Sequence, residues 1–378
     1  MIQQQAGPEG YSAFIPASLP PNPPLDFNSG LSDLLQRASH ALGRLDGTSH
    51  TLDADQLLYM YVRKEAVLSS QIEGTQSTLS DLLQYENADA PGVLLKDVRE
   101  VSSYVKSLQY GFERLNAGTP LSLRLIREVH GVLMEGSPRG GQHTPGEFRR
   151  TQNWIGGSRP GTARFVPPPP HEVLNTMGAL ELFMHDESVA PIVKAGLVHA
   201  QFETIHPFLD GNGRLGRLLI TFLLCAQGAL TQPFLYLSLY FKEHRDAYYE
   251  ALQRVRSDGD WEGWMAFYLE GVYGTARQAT KTTHDLLALF SDDRARVMGL
   301  GGSATSPLRV YEHLQKRIVI SVPKTVPVLH LTYPTVAAAL RRLEALGIVR
   351  EITGKSYGRQ YVYARELEIL NGDSASIE

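Results

Sequence analysis

Twelve consecutive residues, His206-Pro207-Phe208-Leu209-Asp210-Gly211-Asn212-Gly213-Arg214-Leu215-Gly216-Arg217, gather the side chains in this sequence that could do chemistry together. His206 can take a proton near neutral pH. Asp210 is a hard oxygen ligand, suited to a magnesium ion that keeps most of its waters. Gly211-Asn212-Gly213 is a turn in which positive φ costs little, and it leads straight into an apolar run. Its N–H groups therefore converge at a helix N-terminus, a concavity that binds anions. Arg214 and Arg217, three residues apart, share one face of that helix and carry donors suited to phosphate oxygens. Singly, each has an ordinary explanation: a loop histidine, a plain turn, a solvated helix face. A base, a metal carboxylate, an anion nest and two guanidinium groups together predict a phosphotransfer site.

A second short run is Ser69-Ser70-Gln71-Ile72-Glu73-Gly74. Helical spacing over Ala54–Ile72 predicts a helix stopped by Gly74 in the left-handed conformation. Glu73 then lies at the negative end of the helix dipole, the wrong end for a carboxylate. That placement costs a few tenths of a kcal/mol unless a cation offsets it. Ser69, four residues earlier, shares its face.

The elements that must position these residues are mostly helical. Apolar residues recur at helical spacing in Leu31–Leu45, Ala54–Ile72, Val93–Leu115, Leu121–Met134 and Val173–His185. The pattern continues in Ile192–Ile205, Leu215–Ala226, Arg245–Val255 and Trp261–Leu289. Residues 1–30, rich in proline and glycine, predict an extended arm, packed on the body or loose. Residues 150–170 read as a short hairpin closed by Pro167–Pro170. Gly299-Leu300-Gly301-Gly302-Ser303 reads as a linker. Beyond it, Leu308–Gln315, Val322–Leu329 and a helix from Thr332 to Leu346 precede two β-rich segments, Ile348–Ile352 and Gln360–Tyr363. Three helices and a two-stranded wing give the winged-helix order. The expected division is an arm and helical region over 1–115, a core over 116–298, a linker over 299–305 and a winged helix over 306–378.

The 378 residues are 43% hydrophobic and 20% charged, ordinary for a globular protein, and the net charge of −4 gives no global basic field for nucleic acid. The single cysteine, Cys225, excludes an internal disulfide and reads as a buried thiol. Met1–Gly10 does not resemble a signal peptide, and Leu218–Leu224 is too short to cross a bilayer. The expectation is a cytoplasmic protein without membrane contact.

The run from His206 to Arg217 matches position for position the signature of the Fic family, His-x-Phe-x-Asp/Glu-Gly-Asn-Gly-Arg-x-x-Arg, which the chain therefore resembles. Gly146-Glu147-Phe148-Arg149, Thr151–Gly157 and Pro167–Pro170 resemble that family's flap, and His199, Phe202 and Glu203 its pre-motif helix. The resemblance implies a mainly helical Fic fold that transfers AMP from ATP, with Mg²⁺, to a Ser, Thr or Tyr hydroxyl of a protein, itself included. His206 would be the general base and Asp210 the Mg²⁺ ligand. Gly211, Asn212, Gly213, Arg214, Leu215, Gly216 and Arg217 would hold the phosphates. Trp154, Ile155 and Gly156 would dock the target backbone. Tyr248 and Tyr249 resemble a pair near the adenine, with core packing as the alternative; Arg256 stands where relatives often carry asparagine. Ser69, Glu73 and Gly74 resemble the inhibitory Ser/Thr-x-x-x-Glu-Gly/Asn pattern, which implies that Glu73 occupies Arg217.

Several alternatives stay open at this point. They are removal of AMP, transfer of UMP or phosphate, and a transcription regulator whose core senses nucleotide. The winged helix could serve DNA, with ten basic residues against five glutamates over 306–370, or protein docking and a homodimer. Its recognition-helix arginines, Arg341 and Arg342, come late.

Overall fold

The computed structural model describes residues 2–6, 11–28, 30–48, 54–87, 96–135, 144–355 and 358–372. The chain opens with β1 (Ile2–Ala6) and β2 (Tyr11–Ile15), an antiparallel pair. Helices follow: α1 (Leu31–Thr48), α2 (Ala54–Ile72), α3 (Leu79–Asn87), α4 (Lys96–Asn116), α5 (Leu123–Met134), α6 (Val173–Met184), α7 (Pro191–Ile205) and α8 (Asn212–Ala226). Next come α9 (Ser238–Glu243), α10 (Arg245–Asp258) and α11 (Trp261–Met298). The last segment holds α12 (Thr305–Gln315), β3 (Val319–Ser321), α13 (Val322–Leu329), α14 (Tyr333–Ala345), β4 (Val349–Glu351), β5 (Gln360–Tyr363) and α15 (Ala364–Gly372).

The fold is mainly α, and its centre is the antiparallel pair α7 and α8. A helix that is buried all round belongs inside other helices, and in α7 every residue from Ile192 to Ile205 is buried. Pro191 at its first position presets the helical φ where no N–H is needed. Two glycines let neighbours come close. A Cβ on Gly196 would lie 2.7 Å from the Tyr268 ring, and one on Gly216 would lie 2.6 Å from Glu203 Oε1. Around this pair pack α4, α5, α6, α10 and α11. Helix α2 is itself nearly all buried from Tyr59 to Ile72, and the Tyr61 hydroxyl, far from any solvent, donates to Ala279 O at 2.9 Å.

Several sequence expectations are corrected. The arm carries a strand pair that was not expected, β1 with β2, and of the two expected placements it takes the packed one: Phe14 N–H donates to Val166 O (2.9 Å) and Gln201 Nε2 donates to Ala17 O (2.7 Å). The hairpin of 150–170 shrinks to one bridge, Ile155 with Phe165. Its ladder cannot extend, because Pro167–Pro170 have no N–H to donate and Gly156 and Gly157 take positive φ. The helix begun at Val93 is described only from Lys96; residues 93–95 lie outside the described part, as do 356–357 of the loop between the last two strands. Helix α11 runs on through Met298, past the expected end at Leu289. Helices α3, α9 and α15 were not expected.

The final sheet has three strands, not two, in the antiparallel order β3-β5-β4. Three residues, Val319–Ser321, are too few to show alternation in a sequence. The 299–305 segment is a single 3₁₀ turn between α11 and α12 rather than a free tether. Buried Asp293 of α11 accepts from the Tyr363 hydroxyl at 2.8 Å and from Arg365 at 3.1 Å, while Tyr311 donates to Phe290 O at 3.0 Å. Asp293 and the two tyrosines thus lock the C-terminal elements to the last turns of α11.

Candidate active site

His206 ends α7 in the left-handed conformation, φ 49°. A non-glycine residue is rarely held there, and the cost must be met by its surroundings. They meet it on three sides. The His206 N–H donates to Phe202 O (2.8 Å), while its carbonyl accepts from Arg149 Nε (2.9 Å) and Asn153 Nδ2 (3.2 Å). Six residues on, the buried amide of Asn212 staples the loop shut, accepting from Phe208 N–H (2.9 Å) and donating to Phe208 O (2.8 Å). Asn212 thus spends its side chain on holding the loop.

Gly211, at φ 77°, starts α8 without any side-chain cap. The first-turn N–H groups of a helix lack partners inside it, and here they open on a cleft of about 450 Å³. Glu73, Lys96, Glu100, His206, Asp210 and Arg214 are among its walls. Asp210 Oδ1 accepts from Gly211 N–H (2.6 Å) and lies 3.6 Å from Arg214. The Arg214 guanidinium also donates to Glu100 Oε2 at 3.3 Å. Arg217, buried one turn later, donates from Nε to Ser69 Oγ (2.8 Å) and from Nη2 to Ser69 O (3.0 Å) and Glu73 Oε1 (2.8 Å). A Cβ on Gly213 would lie 2.3 Å from Glu73 Oε1, so the bare backbone there leaves the carboxylate its seat. Gly74, at φ 100°, ends the segment as an αL residue should.

The electrostatics follow from burial. Burial, then the Arg256 and Arg149 cations, push His206 down to about 3, so the ring is neutral and able to accept a proton. Burial lifts the Glu203 carboxyl to about 7 against the pull of Arg217; its Oε2 lies 3.8 Å from His206 Nδ1. For Glu73 burial raises the carboxyl, but Arg217 outweighs it and the net shift is downward, so the pair is ionic.

The structure thus brings together His206, Asp210, Gly211, Gly213, Arg214, Arg217, Ser69 and Glu73. It leaves others apart. Leu215 is fully buried in the core, and Gly216 serves the α7–α8 contact. Tyr248 is also core: its hydroxyl meets His199 Nε2 at 2.8 Å, while Tyr249 is only half-buried. Arg256 lies below, donating to Glu203 O (3.0 Å) with its guanidinium 4.4 Å from the centre of the Phe165 ring. Trp154 is 39% exposed on the flap, beside half-buried Ile155 and exposed Gly156.

Four residues hold the site through contacts that sequence reasoning did not foresee, two of them within the flap segments it named. Arg149, buried, also reaches the carbonyls of Thr151, Pro168 and Ile205 and so ties the flap to the loop. Asn153 donates to Phe208 O as well as His206 O. His130 accepts from Gly146 N–H at Nδ1 (2.9 Å), which puts its own proton on Nε2, facing Asp210 O (3.0 Å); it stacks on Phe208 at 3.7 Å. Glu100 neutralises Arg214. None has a sequence spacing that links it to the motif.

The Fic/DOC family N-terminal domain matches residues 32–113 and the Fic/DOC family domain matches residues 120–224. Protein adenylyltransferase Fic of Drosophila grimshawi is 29% identical over 260 residues, 67% of this chain and 48% of that protein. A probable protein adenylyltransferase of Aquifex aeolicus is 28% identical over 199 residues, 51% of this chain and 57% of that protein. The chain spans about half the length of these curated relatives. The crystal structure of a Fic family protein from Desulfovibrio desulfuricans superposes with a TM-score of 0.58 at 21% identity, covering 90% of this chain and 97% of the other, a likeness of fold.

Proposed function

We propose, from the premise that this chain belongs to the Fic/DOC family, that it transfers AMP from ATP to a side-chain hydroxyl of a protein and is held in check by its own Glu73. The names of the curated relatives support the transfer. One observation carries the restraint: the Arg217 guanidinium, buried and aimed along the α8 face, is taken by Ser69 Oγ, Ser69 O and Glu73 Oε1.

Neutral His206 takes the proton as the target oxygen bonds to the α-phosphorus. The bond from that phosphorus to the bridging oxygen breaks, and pyrophosphate leaves. The uncapped N-terminus of α8 and Arg214 receive phosphate oxygens, and Arg217 joins them once Glu73 lets go. Asp210 fits a single hard cation: Oδ1 is engaged by Gly211, Oδ2 accepts from no described residue, and no group of three or more metal-ligating side chains converges among the described residues. A magnesium ion there would neutralise phosphate charge. The flap edge at Trp154, Ile155 and Gly156 would take the target backbone by strand addition, with Tyr249 rather than Tyr248 left to meet the base.

The C-terminal elements read best as a winged helix used for protein docking, the chain's own copy included. Arg342, one of the two late arginines of α14, donates to Ser303 O (2.9 Å) instead of facing outward for DNA. No helix among the described residues is long and apolar enough to cross a membrane.

The test is self-labelling by α-labelled ATP in wild type and Glu73→Gly. A charge-assisted bond contributes roughly 1.5–3 kcal/mol; the low end applies because the Glu73 side chain is 38% exposed. That corresponds to about a tenfold rise in label. Equal labelling of the two proteins would remove Glu73 as the restraint. Label kept from γ-labelled ATP would replace AMP transfer by phosphate transfer.

A further inference from the structure

Glu203 stands three residues before His206 at the end of α7, and so on the same face of the helix. Its side chain is buried, and a Cβ on Gly216 would lie 2.6 Å from Oε1, so the bare backbone of α8 leaves the carboxyl its place. Oε1 has no hydrogen-bond partner among the described residues, and neither has His206 Nδ1. Buried polar atoms nearly always find partners, and here two unmet atoms belong to neighbours. Oε2 of Glu203 lies 3.8 Å from His206 Nδ1. That is too long for a hydrogen bond, but catalytic bonds often start long and tighten as substrate seats.

The role of each ring nitrogen follows. Nδ1 faces inward, toward the carboxyl and the main-chain carbonyl of Glu203, both acceptors, and therefore carries the proton. Nε2 is left to accept at the cleft that His206 lines. The surrounding charges make that acceptance costly. Arg256 of α10 and Arg149 both repel an imidazolium at this position. Arg217 of α8 faces Glu203, and Glu73, the other carboxylate nearby, is spent on Arg217. Tyr248 and Tyr249 of α10 are pushed up and His199 is pushed down to about 3, so all three stay neutral. Glu203 is thus the carboxyl placed to balance a charge on His206.

We propose that Glu203 is the positioning residue of His206: as a carboxylate it holds the Nδ1–H tautomer and balances the imidazolium that forms when Nε2 takes the target's proton. The inference rests on the transfer of AMP proposed above. The proton passes from the target oxygen to Nε2 and goes no further, while Nδ1–H stays on the ring and tightens on Glu203 Oε2. A protonated Glu203 supplies no counter-charge. Burial lifts its carboxyl to about 7, so the arrangement switches on as pH rises through that value. His206, down at about 3, is an unprotonated base on both sides of it. The pH dependence of transfer therefore belongs to the glutamate and not to the histidine.

Glu203→Gln keeps the shape and removes the charge. In the full chain carrying Glu73→Gly, it should lower kcat for α-label transfer roughly 10–10²-fold, with KM for ATP changed by no more than about twofold. The parent's rise in rate through pH 7, or just below because Glu73 itself lifts Glu203, should vanish with it. The variant should melt no lower than its parent above that pH, since a buried charge is gone. Imidazole nitrogen NMR of the wild-type chain, assigned with His206→Ala, needs no transfer at all. The His206 signals should be those of the Nδ1–H tautomer and should step as Glu203 ionises, a step missing from Glu203→Gln. A His206 spectrum without that step overturns the proposal. So does a rate inflection that survives Glu203→Gln, which would belong to Glu65, the other carboxyl lifted to about 7. Absence of α-label in the Glu73→Gly parent would instead strike the transfer reading, and the NMR step would still decide the pairing.

Discussion

The loop from His206 to Arg217 and the flap from Arg150 to Val166 are joined through Arg149 and Asn153, yet they are built on opposite principles. In the loop, Phe208 is fully buried, Asn212 closes the backbone with two bonds, and His206 is held at positive φ by Phe202, Arg149 and Asn153. In the flap, two main-chain bonds between Ile155 and Phe165 hold the strands and Trp154 stands out in solvent. Groups that move a proton or grip phosphate gain from being fixed in advance. A segment that must accept a partner's backbone gains from an edge left unpaired. On the proposed function, the fixed loop would carry the chemistry and the lightly paired flap would receive the target.

The contrast breaks most completely at His206. His206→Ala should lower transfer by about 10²–10⁴, the usual loss with a general base, while ATP affinity, which rests on the α8 N-terminus and the arginines, stays within a few fold; kinetics with a titrated nucleotide separate the two. Arg149→Leu attacks the join between the regions. It leaves the carbonyls of Ile205, His206 and Pro168 without their buried donor, at about 1–3 kcal/mol or more. A lower urea midpoint together with lost transfer is expected, and an unchanged midpoint would mean the loop does not need the flap.

Acid sharpens the same contrast. His130, His199 and His206 are pushed down to about 4, 3 and 3, chiefly by burial. Each therefore contributes stability above the ordinary histidine value of about 6.5 that is lost as pH falls toward its folded value. Glu65 and Glu203, lifted by burial to about 7, and Glu366, lifted well above the ordinary value, act with the opposite sign. Their contribution is full below about 4.5 and lost as pH rises through their folded values. The two sets oppose each other between pH 7 and about 5, so urea midpoints should change little there and fall steeply below 4.5. A steady fall beginning at 6.5 would show that these glutamates are ionised in the folded protein. Smallest of all should be Trp154→Ala: within about 0.5 kcal/mol in stability, as for an exposed side chain, and visible only as a few-fold weaker apparent affinity for a protein target.

What a sequence can disclose depends on the distance over which a contact acts. The nest at Gly211–Gly213 and the two arginines lie within one turn and one helix, so their spacing alone describes them. The turn ending at Gly74 is equally local. The partnership of Glu73 with Arg217, 144 residues apart, came only through resemblance, because no spacing expresses it. Arg149, His130 and Glu100 act across 57, 80 and 114 residues, and no spacing ties them to the loop, although Arg149 stands in a segment that resembles the flap. The hairpin of 150–170 failed for a different reason: the alternating residues were there, but the prolines that closed the segment also removed its donors. Strand β3 was too short to have a period at all.

Helix α2 presents no outward face from Tyr59 to Ser70, and that sets how the proposed restraint by Glu73 would be lifted. A helix so embedded cannot swing aside as a body without opening the core, whereas its last turn is held by three main-chain bonds: Glu73 N–H and Thr75 N–H to Ser70 O, and Gly74 N–H to Gln71 O. On that proposal, relief of Arg217 would be a local fraying event, of the kind that costs far less than global unfolding. In kinetic terms the resting rate of the wild-type protein would then be a population, the fraction of time that one turn is undone. Amide exchange at Glu73, Gly74 and Thr75 would then run on the same clock as the chemistry.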